Sequence, residues 1–212
     1  MRNFFTYIQV LLDFILPRDA EVAFLQGLTP DALSLLCKPA QNRADSYTTA
    51  LYSYKDERIK KLVWHLKFKE QRWVAERFGF LLAQRISVEK FSGKTLLIPV
   101  PIHKKRRRER GYNQCEWLCE EILKHVNIKI NMNYSPDMVV RDVYTVKQSW
   151  SSKTARKKNI RNVFRVIDKV VIAGTHIIII DDVCTTGATL DEVRRTLVAA
   201  GALSVKAFVI AR

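Results

Sequence analysis

A chain of 212 residues is long enough for one α/β domain with a buried core and a small appendage. Its 48% hydrophobic and 27% charged residues are ordinary for a globular protein, and 7 glycines and 6 prolines argue against long disordered linkers. The formal net charge of +15 favours polyanionic partners: nucleic acid, phosphorylated ligands or an anionic membrane surface. Charge alone does not choose among these three.

The four cysteines, Cys37, Cys115, Cys119 and Cys184, contain no CxxC pair. We therefore expect small buried apolar side chains rather than zinc ligands. Nothing in their spacing suggests the disulfide framework of a secreted protein, so the sequence predicts a cytoplasmic protein.

Residues 1–46 are predicted to form a helical appendage, and residues 47–212 to form the main domain. The appendage opens with an apolar segment, Phe4–Pro17, whose only charge is Asp13. This segment is too short to span a bilayer, so no transmembrane span is predicted. It could be a short helix docked on the body, or a contact for a partner or a membrane surface. A second short helix is predicted to run to Cys37, and a polar linker follows it.

Apolar runs with strand character alternate with helical periodicity in the main domain. The predicted strands are Thr48–Tyr54, Thr95–Val100, a weaker Met138–Val140, His176–Ile180 and Val205–Ile210. The predicted helices are one that opens at Asp56, Trp73–Ile86, Asn113–His125 and Thr189–Ala200. This alternation predicts an α/β fold in which a doubly wound parallel sheet carries helices on both faces. Ligands of such sheets bind at the carboxyl ends of the strands.

The most informative stretch is the end of the strongest strand. Two acids, Asp181 and Asp182, follow it directly, and a small-residue turn then leads into a helix. Backbone N–H groups at the start of that helix can converge on an anion, and Gly187 lets the chain approach a ligand without a Cβ clash. The predicted phosphate-binding residues are Thr185, Thr186, Gly187, Ala188 and Thr189.

The two acids would repel a phosphate unless they faced hydrogen-bond donors or a cation. The vicinal hydroxyls of a ribose satisfy this requirement, and so does Mg²⁺. One ligand, a ribose 5-phosphate, fits both Asp181–Asp182 and the turn that follows. The simpler alternative is an acidic cap on an ordinary helix. The stretch is not a Walker loop, because no Gly-Lys-Ser/Thr follows, and a single Gly excludes the dinucleotide-binding fingerprint.

At these residues the sequence resembles the type I phosphoribosyltransferases. More of the chain resembles one branch of that superfamily, the ComF family. The resemblance runs from about Tyr47 to Arg212 and implies a type I phosphoribosyltransferase-like fold. Its supporting positions are Ile59–Leu62, Leu66–Phe68, Pro99–Pro101, Arg107–Gln114, Asp181–Thr189, Thr145, Gln148, Arg156, Asn159 and Phe164.

What the resemblance implies for the site is specific. Asp181 and Asp182 would contact the ribose hydroxyls as the catalytic acids and would hold Mg²⁺ through the ligand or water. The turn would hold the 5-phosphate. Family members usually carry a four-cysteine zinc knuckle near the N-terminus, whereas this chain keeps only Cys37 there. We therefore expect a degenerate appendage without zinc.

Two basic segments, His103–Arg110 and Lys153–Arg161, fall where the resemblance expects contacts to pyrophosphate and a flexible loop. The implied pyrophosphate-binding residues are Val100, Pro101, Arg107 and Arg110, and the implied flexible-loop residues are Gln148 and Arg156. The cations exceed what one pyrophosphate needs, and a nucleic-acid backbone would use the surplus. Trp150 is the tryptophan expected to be exposed and available for base stacking.

The leading hypothesis is a phosphoribosyltransferase that binds phosphoribosyl pyrophosphate with Mg²⁺ and acts in DNA uptake. No general base stands out, since Thr185 stands where purine-salvage relatives place an acid, so positioning and charge stabilisation would dominate catalysis. One alternative is a non-catalytic module in DNA uptake or processing that retains the pocket for sensing or for a terminal 5′-phosphate. The other is a non-catalytic nucleic-acid-binding adaptor in DNA uptake or processing, with single-stranded DNA and DNA-uptake proteins as partners. The acceptor is not indicated by the sequence.

Overall fold

The computed structural model describes residues 20–42, 47–127, 131–144 and 162–212. The predicted apolar helix in Phe4–Pro17 and the basic segment Lys153–Arg161 lie outside these ranges. So do Gln148, Trp150 and Arg156, and the predictions made for them stay predictions.

Helices and strands alternate along most of the described chain. The helices are α1 (Ala20–Gly27), α2 (Pro30–Leu36), α3 (Glu57–Phe68), α4 (Arg72–Ser87), α5 (Lys104–Arg110), α6 (Gln114–His125), α7 (Lys169–Ile172) and α8 (Ala188–Ala199). The strands are β1 (Thr48–Tyr52), β2 (Thr95–Pro99), β3 (Met132–Tyr134), β4 (Val139–Arg141), β5 (Phe164–Val166), β6 (His176–Val183) and β7 (Ser204–Ala211).

The main sheet is parallel and has the strand order β1-β7-β6-β2-β3. Strand β6 lies at its centre, with Ile177 beside Leu96 of β2 and Val205 of β7. Its four isoleucines, Ile177–Ile180, are fully buried because helices cover both faces of the sheet. The predicted α/β fold is confirmed.

Alternate side chains of β6 enter two different cores. Ile178 and Ile180 pack with the apolar faces of α3, α4 and α6, and α1 and α2 add residues to this cluster. Ile177 and Ile179 pack with α8 and with the β4–β5 pair on the other face. This alternation follows from the two-residue period of a strand.

One predicted strand was placed wrongly. Met138–Val140 was expected to belong to the parallel sheet, but β4 pairs in antiparallel fashion with β5 outside that sheet, with Val139 opposite Val166. The sheet position beside β2 is taken by β3, whose residue Met132 lies opposite Thr95. Strands of only three residues give too little alternation to be distinguished by pattern.

The N-terminal helices rest on the main domain. Leu25 of α1 and Leu33 of α2 are almost completely buried in the core cluster that α3 and α4 form. Thr29 caps α2, and Cys37 is buried where that helix ends. Beyond it, the Lys38 backbone N–H donates to Asp56 at 2.9 Å. All four cysteines are buried, as expected. None of the helices in the described ranges combines the length and apolarity that crossing a bilayer would require.

Candidate functional site

The acids Asp181 and Asp182 lie at the carboxyl end of β6, where three chain segments meet. Val100 follows β2 and donates its backbone N–H to the Ile180 carbonyl at 2.9 Å. Asn113 donates its side-chain amide to the Val100 carbonyl at 3.1 Å and caps the start of α6. The first turn of α6 is thereby fixed beside the two acids.

Asp182 is buried and fully engaged. Lys67, at the end of α3, places its Nζ 2.7 Å from Asp182 Oδ1. The side-chain amide of Gln114 donates to the other oxygen, Oδ2. Only 3% of Asp182 is exposed, so it is not open to a ribose hydroxyl in the way that the sequence predicts for both acids. A buried carboxylate requires such compensation, because an unpaired charge away from water is costly.

Asp181 has different surroundings. Its Oδ1 accepts from the Asp182 backbone N–H at 2.9 Å and lies 3.5 Å from the Cys115 thiol. Its Oδ2 has no hydrogen-bond partner within the described ranges, and the residue is partly exposed. Burial of the carboxylate, followed by the adjacent charge of Asp182, raises the Asp181 pKa to about 7, with Lys67 opposing the rise. Asp181 is therefore the acid that can receive a ligand.

Lys67 remains an ammonium ion in this setting. Burial disfavours its charged form, but the attraction of Asp182, and then of Asp181, outweighs burial and raises the Lys67 pKa. A lysine that holds its proton this firmly can stabilise an anion but cannot act as a general base near neutral pH.

The Thr185–Thr189 turn begins α8. Gly187, the residue before that helix, adopts φ 79°, which favours glycine because a Cβ is strained in this region. Gly187 provides no side-chain cap for α8, and the Ala188 N–H donates to Thr186 Oγ1 at 3.4 Å. A hollow of about 30 Å³ opens over the turn, with Asp181 at its rim. The other N–H groups of a first helical turn suit an anion.

An acid close to this turn is engaged by a tyrosine. Tyr47 donates its hydroxyl to Asp191 Oδ1 at 2.6 Å, and the Arg194 guanidinium lies 4.9 Å from the Tyr47 ring centre. The Asp191 backbone N–H donates to the Gly187 carbonyl at 2.8 Å. Tyr47 therefore holds, through a hydrogen bond, a carboxylate whose negative charge would otherwise repel an anion at the start of α8.

A larger opening, which we call the basic cleft, lies beside Lys67. It has a volume of about 680 Å³, within the range of small-molecule sites. Phe68 contributes an exposed ring, over which the Arg110 guanidinium lies at 5.3 Å. The lining residues are Lys67, Phe68, Lys69, Glu70, Arg106, Glu109, Arg110, Tyr112 and Tyr144. Four cations against two acids make this lining positive.

The first basic segment is helical rather than a loop. Lys104–Arg110 form α5, with His103 as its N-cap and Gly111 ending it at φ 89°. Arg110 and Arg106 line the basic cleft, whereas Arg107 lies outside its lining and forms an ion pair with Glu116. Lysine and arginine have high helix propensity, so this run forms a helix between its N-cap, His103, and the glycine that ends it, Gly111.

A cluster of metal-ligand types also lies here. The Cys115 thiol and the carboxylates of Asp181 and Asp182 have ligand atoms within 4.8 Å of one another. Mg²⁺ prefers oxygen ligands and keeps several waters. Both oxygens of Asp182 are occupied and Lys67 adds a positive charge, so these residues fit a Mg²⁺ that the ligand's oxygens hold and that Asp181 meets directly or through water.

The predicted site residues form two groups. The acids lie together with the phosphate-binding turn, and Val100 and Pro101 lie at the neighbouring strand end. Arg110 joins the basic cleft, but Arg107 does not. The contacts that Lys67 and Gln114 make with Asp182 were not predicted from the sequence. The available signal was that both residues lie in segments that carry the family resemblance, Leu66–Phe68 and Arg107–Gln114.

The part of the chain that holds this site matches a known protein-family model. The family model of the phosphoribosyl transferase domain matches residues 137–212, which include both acids and the turn. Among solved structures, the allosteric regulatory enzyme of purine biosynthesis is similar over 69% of this chain and 30% of that chain, with 14% identity and a TM-score of 0.42.

Curated relatives extend the match to most of the chain. "DNA utilization protein YhgH" of Escherichia coli O6:H1 is 29% identical over 73% of this chain and 67% of its own length. "Competence protein F" of Haemophilus influenzae is 29% identical over 74% and 69%. "Competence protein ComFC" of Bacillus subtilis is 30% identical over 77% and 63%. This chain therefore aligns with about two thirds of each relative.

Proposed function

Because the chain belongs to the ComF family of the type I phosphoribosyltransferase superfamily, we propose that it binds phosphoribosyl pyrophosphate with Mg²⁺. We further propose that it transfers the phosphoribosyl group to an acceptor as part of DNA uptake. The names of its relatives support the second part, and the chemistry of the site supports the first.

One observation carries the proposal: the order of the site along the carboxyl edge of the sheet. The start of α8 comes first, then Asp181, then Asp182, and then Lys67, which lines the basic cleft. A ribose 5-phosphate laid along this line would have its phosphate on the turn and its hydroxyls at Asp181. The group on its C1 carbon would then point to the basic cleft.

This order suits a reaction in which an anion leaves C1. The bond between C1 and the pyrophosphate oxygen breaks, its electron pair leaves with pyrophosphate, and the acceptor supplies the pair for the new bond. Cations fixed in a cleft stabilise the charge that develops on the leaving group. Lys67 and Arg110 would supply that stabilisation, and Asp181 would orient the ribose.

Mg²⁺ would be held by ligand oxygens and by Asp181, and it would supply charge neutralisation of the pyrophosphate when bound. The protein's own contribution is to bind, orient and align the ligand. Lys67 would not serve as the general base for the acceptor, since it keeps its proton.

A screen for pyrophosphate release tests the enzyme proposal. The protein would be incubated with phosphoribosyl pyrophosphate, Mg²⁺ and pools of nucleophilic acceptors, including nucleobases, amines and DNA ends. We expect release above the uncatalysed rate with the true acceptor and its loss in Asp181→Asn. Binding of phosphoribosyl pyrophosphate without release for any acceptor pool would favour a non-catalytic module.

A nucleic-acid-binding adaptor is the second candidate, and α5 favours it. Lys104, Lys105 and Arg108 of α5 are exposed, and polyanions bind such surfaces with a strong salt dependence. Binding to single-stranded DNA should weaken steeply between low and moderate salt, and Lys104, Lys105, Arg106 and Arg108 changed to Ala should flatten the slope. Salt-sensitive binding that also survives Asp181→Asn, in a protein that does not bind phosphoribosyl pyrophosphate, would favour the adaptor.

A further inference from the structure

The ion pair between Lys67 and Asp182 gives the two acids, Asp181 and Asp182, different roles. Both carboxylate oxygens of Asp182 are taken, one by Lys67 and one by Gln114, whereas Asp181 keeps Oδ2 without a partner in the described part of the chain. A ribose hydroxyl can reach Asp181 without displacing anything. To reach Asp182 it would have to break a buried ion pair, which is costly because it leaves a charge uncompensated.

Lys67 is placed to serve a ligand as well as Asp182. Its side chain is 21% exposed, and it lines the basic cleft. An ammonium group has three N–H donors, and the contact with Asp182 Oδ1 uses one of them. Two donors remain for a ligand in the cleft, which Arg106 and Arg110 also line with positive charge.

We propose that Lys67 binds the anionic group on C1 of the ligand, and that Asp182 is the residue that holds Lys67 in place rather than a ribose contact. The inference rests on the proposed function for the identity of the ligand. The anionic group is the pyrophosphate of phosphoribosyl pyrophosphate, and Lys67 reaches it from α3, outside the loop that follows β2.

The ion pair with Asp182 positions the Lys67 ammonium group for this contact. Asp182 fixes the ammonium at 2.7 Å, so its position is set before any ligand arrives. A pre-positioned donor loses little conformational freedom on binding and makes a charge-assisted hydrogen bond, the strongest kind in proteins. A lysine on a flexible surface would lose more side-chain entropy for the same contact.

Three probes separate the roles: ribose 5-phosphate, inorganic pyrophosphate and phosphoribosyl pyrophosphate, each titrated calorimetrically with Mg²⁺. Lys67→Met should weaken the binding of both pyrophosphate-containing probes by about tenfold or more, as loss of a charged hydrogen bond predicts, and leave ribose 5-phosphate within about twofold. Lys60→Met is the matched control, because Lys60 lies on the same helix, pairs with Glu57 and does not line the cleft. It should leave all three affinities unchanged.

Loss of Lys67 leaves Asp182 buried without its cation, so the double variant Lys67→Met with Asp182→Asn is measured as well. It removes both charges, and the amide of Gln114 can still donate to the side-chain oxygen of the introduced asparagine. It should fold and repeat the selective loss.

Equal weakening of ribose 5-phosphate and phosphoribosyl pyrophosphate in both variants would overturn the inference, as would unchanged affinity for every probe. If the wild type binds ribose 5-phosphate and Lys67→Met binds all probes normally, the inference fails while the proposed function stands. If the wild type binds pyrophosphate through Lys67 but no ribose 5-phosphate, the proposed function fails instead. A wild type that binds neither pyrophosphate-containing probe overturns both.

Discussion

Lys67 Nζ lies 2.7 Å from Asp182 Oδ1, and this ion pair joins the end of α3 to the end of β6. The two residues are 115 positions apart in the sequence (182 − 67). The pair explains how two adjacent acids coexist at one strand end. One is neutralised within the protein, and the other, Asp181, is left for the ligand.

The two acids should therefore respond differently to substitution. Asp182→Asn leaves Lys67 without its partner and should lower the free energy of unfolding by about 1–3 kcal/mol. Asp181→Asn removes a carboxylate whose pKa is raised by burial, so stability should stay the same or rise. Urea denaturation of the two single variants measures this difference. Equal destabilisation by both would show that the acids are equivalent.

Substitution of Gly187 should lower both the stability of the protein and its affinity for ribose 5-phosphate. Any side chain at φ 79° is strained, so Gly187→Ala should cost about 1–2 kcal/mol of stability. It should also weaken ribose 5-phosphate binding, since the turn would shift. Gly174→Ala is the matched control: Gly174 has φ 68°, a Cβ there meets nothing within 4 Å, and it lies before β6, away from the site.

Both glycine variants should lose similar stability, and only Gly187→Ala should lose affinity. The melting temperature and the ribose 5-phosphate affinity are measured side by side. If Gly174→Ala lost affinity equally, the effect would be one of folding, as an ordinary helix cap without a ligand predicts.

Asp56 predicts a pH dependence of stability. Burial favours its neutral form, but donation from the Lys38 N–H, and then from Arg58, outweighs burial and lowers the Asp56 pKa below its ordinary value of 3.8. A lowered pKa contributes stability that is present above pH 3.8 and is lost as the pH falls through the folded-state pKa. Asp56→Asn should therefore be less stable than the wild type at about pH 7, and the difference should shrink toward about pH 2.

Unfolding free energies of the wild type and Asp56→Asn across about pH 2–7 test this. Asn can still cap α3 but carries no charge and offers one acceptor oxygen instead of two, so only the pH-dependent part of the difference measures the ionic contribution. A difference that stays constant with pH would mean that the charge of Asp56 contributes nothing.

Gly79 should limit the packing of α4 on α6. A Cβ at Gly79 would overlap the Cβ of Glu121, so the two helices could no longer approach as closely. Gly79→Ala should lower the free energy of unfolding by about 1–3 kcal/mol, as overpacking usually does. Gly27→Ala is the control at the end of α1, where nothing lies within 4 Å. It should be neutral, and a neutral Gly79→Ala would contradict the packing seen here.

Much of the fold could be predicted because its elements are strongly patterned. The run Ile177–Ile180 is apolar and β-branched throughout, which is typical of a strand covered on both faces, and the helix bounds follow caps such as Asp56 and Asn113. Strand β3 and the β4–β5 pair could not be predicted, because three residues show no periodicity and the pairing is set by tertiary contacts.

The site was only partly accessible from the sequence. The acids and the turn are contiguous, so their spacing carries information. Lys67 and Gln114 act on Asp182 from distant parts of the chain, and no local pattern encodes such an approach. The same holds for the burial of Asp182: adjacency in sequence suggested two equal acids, whereas tertiary contacts make them unequal.

The most direct test of the central claim is calorimetric titration of the wild type and Asp181→Asn with phosphoribosyl pyrophosphate, with and without Mg²⁺. We predict saturable binding by the wild type that strengthens with Mg²⁺, and loss of that binding in Asp181→Asn at a melting temperature that is the same or higher. No detectable binding by the folded wild type, or Mg²⁺-dependent binding that survives in Asp181→Asn, would contradict the account.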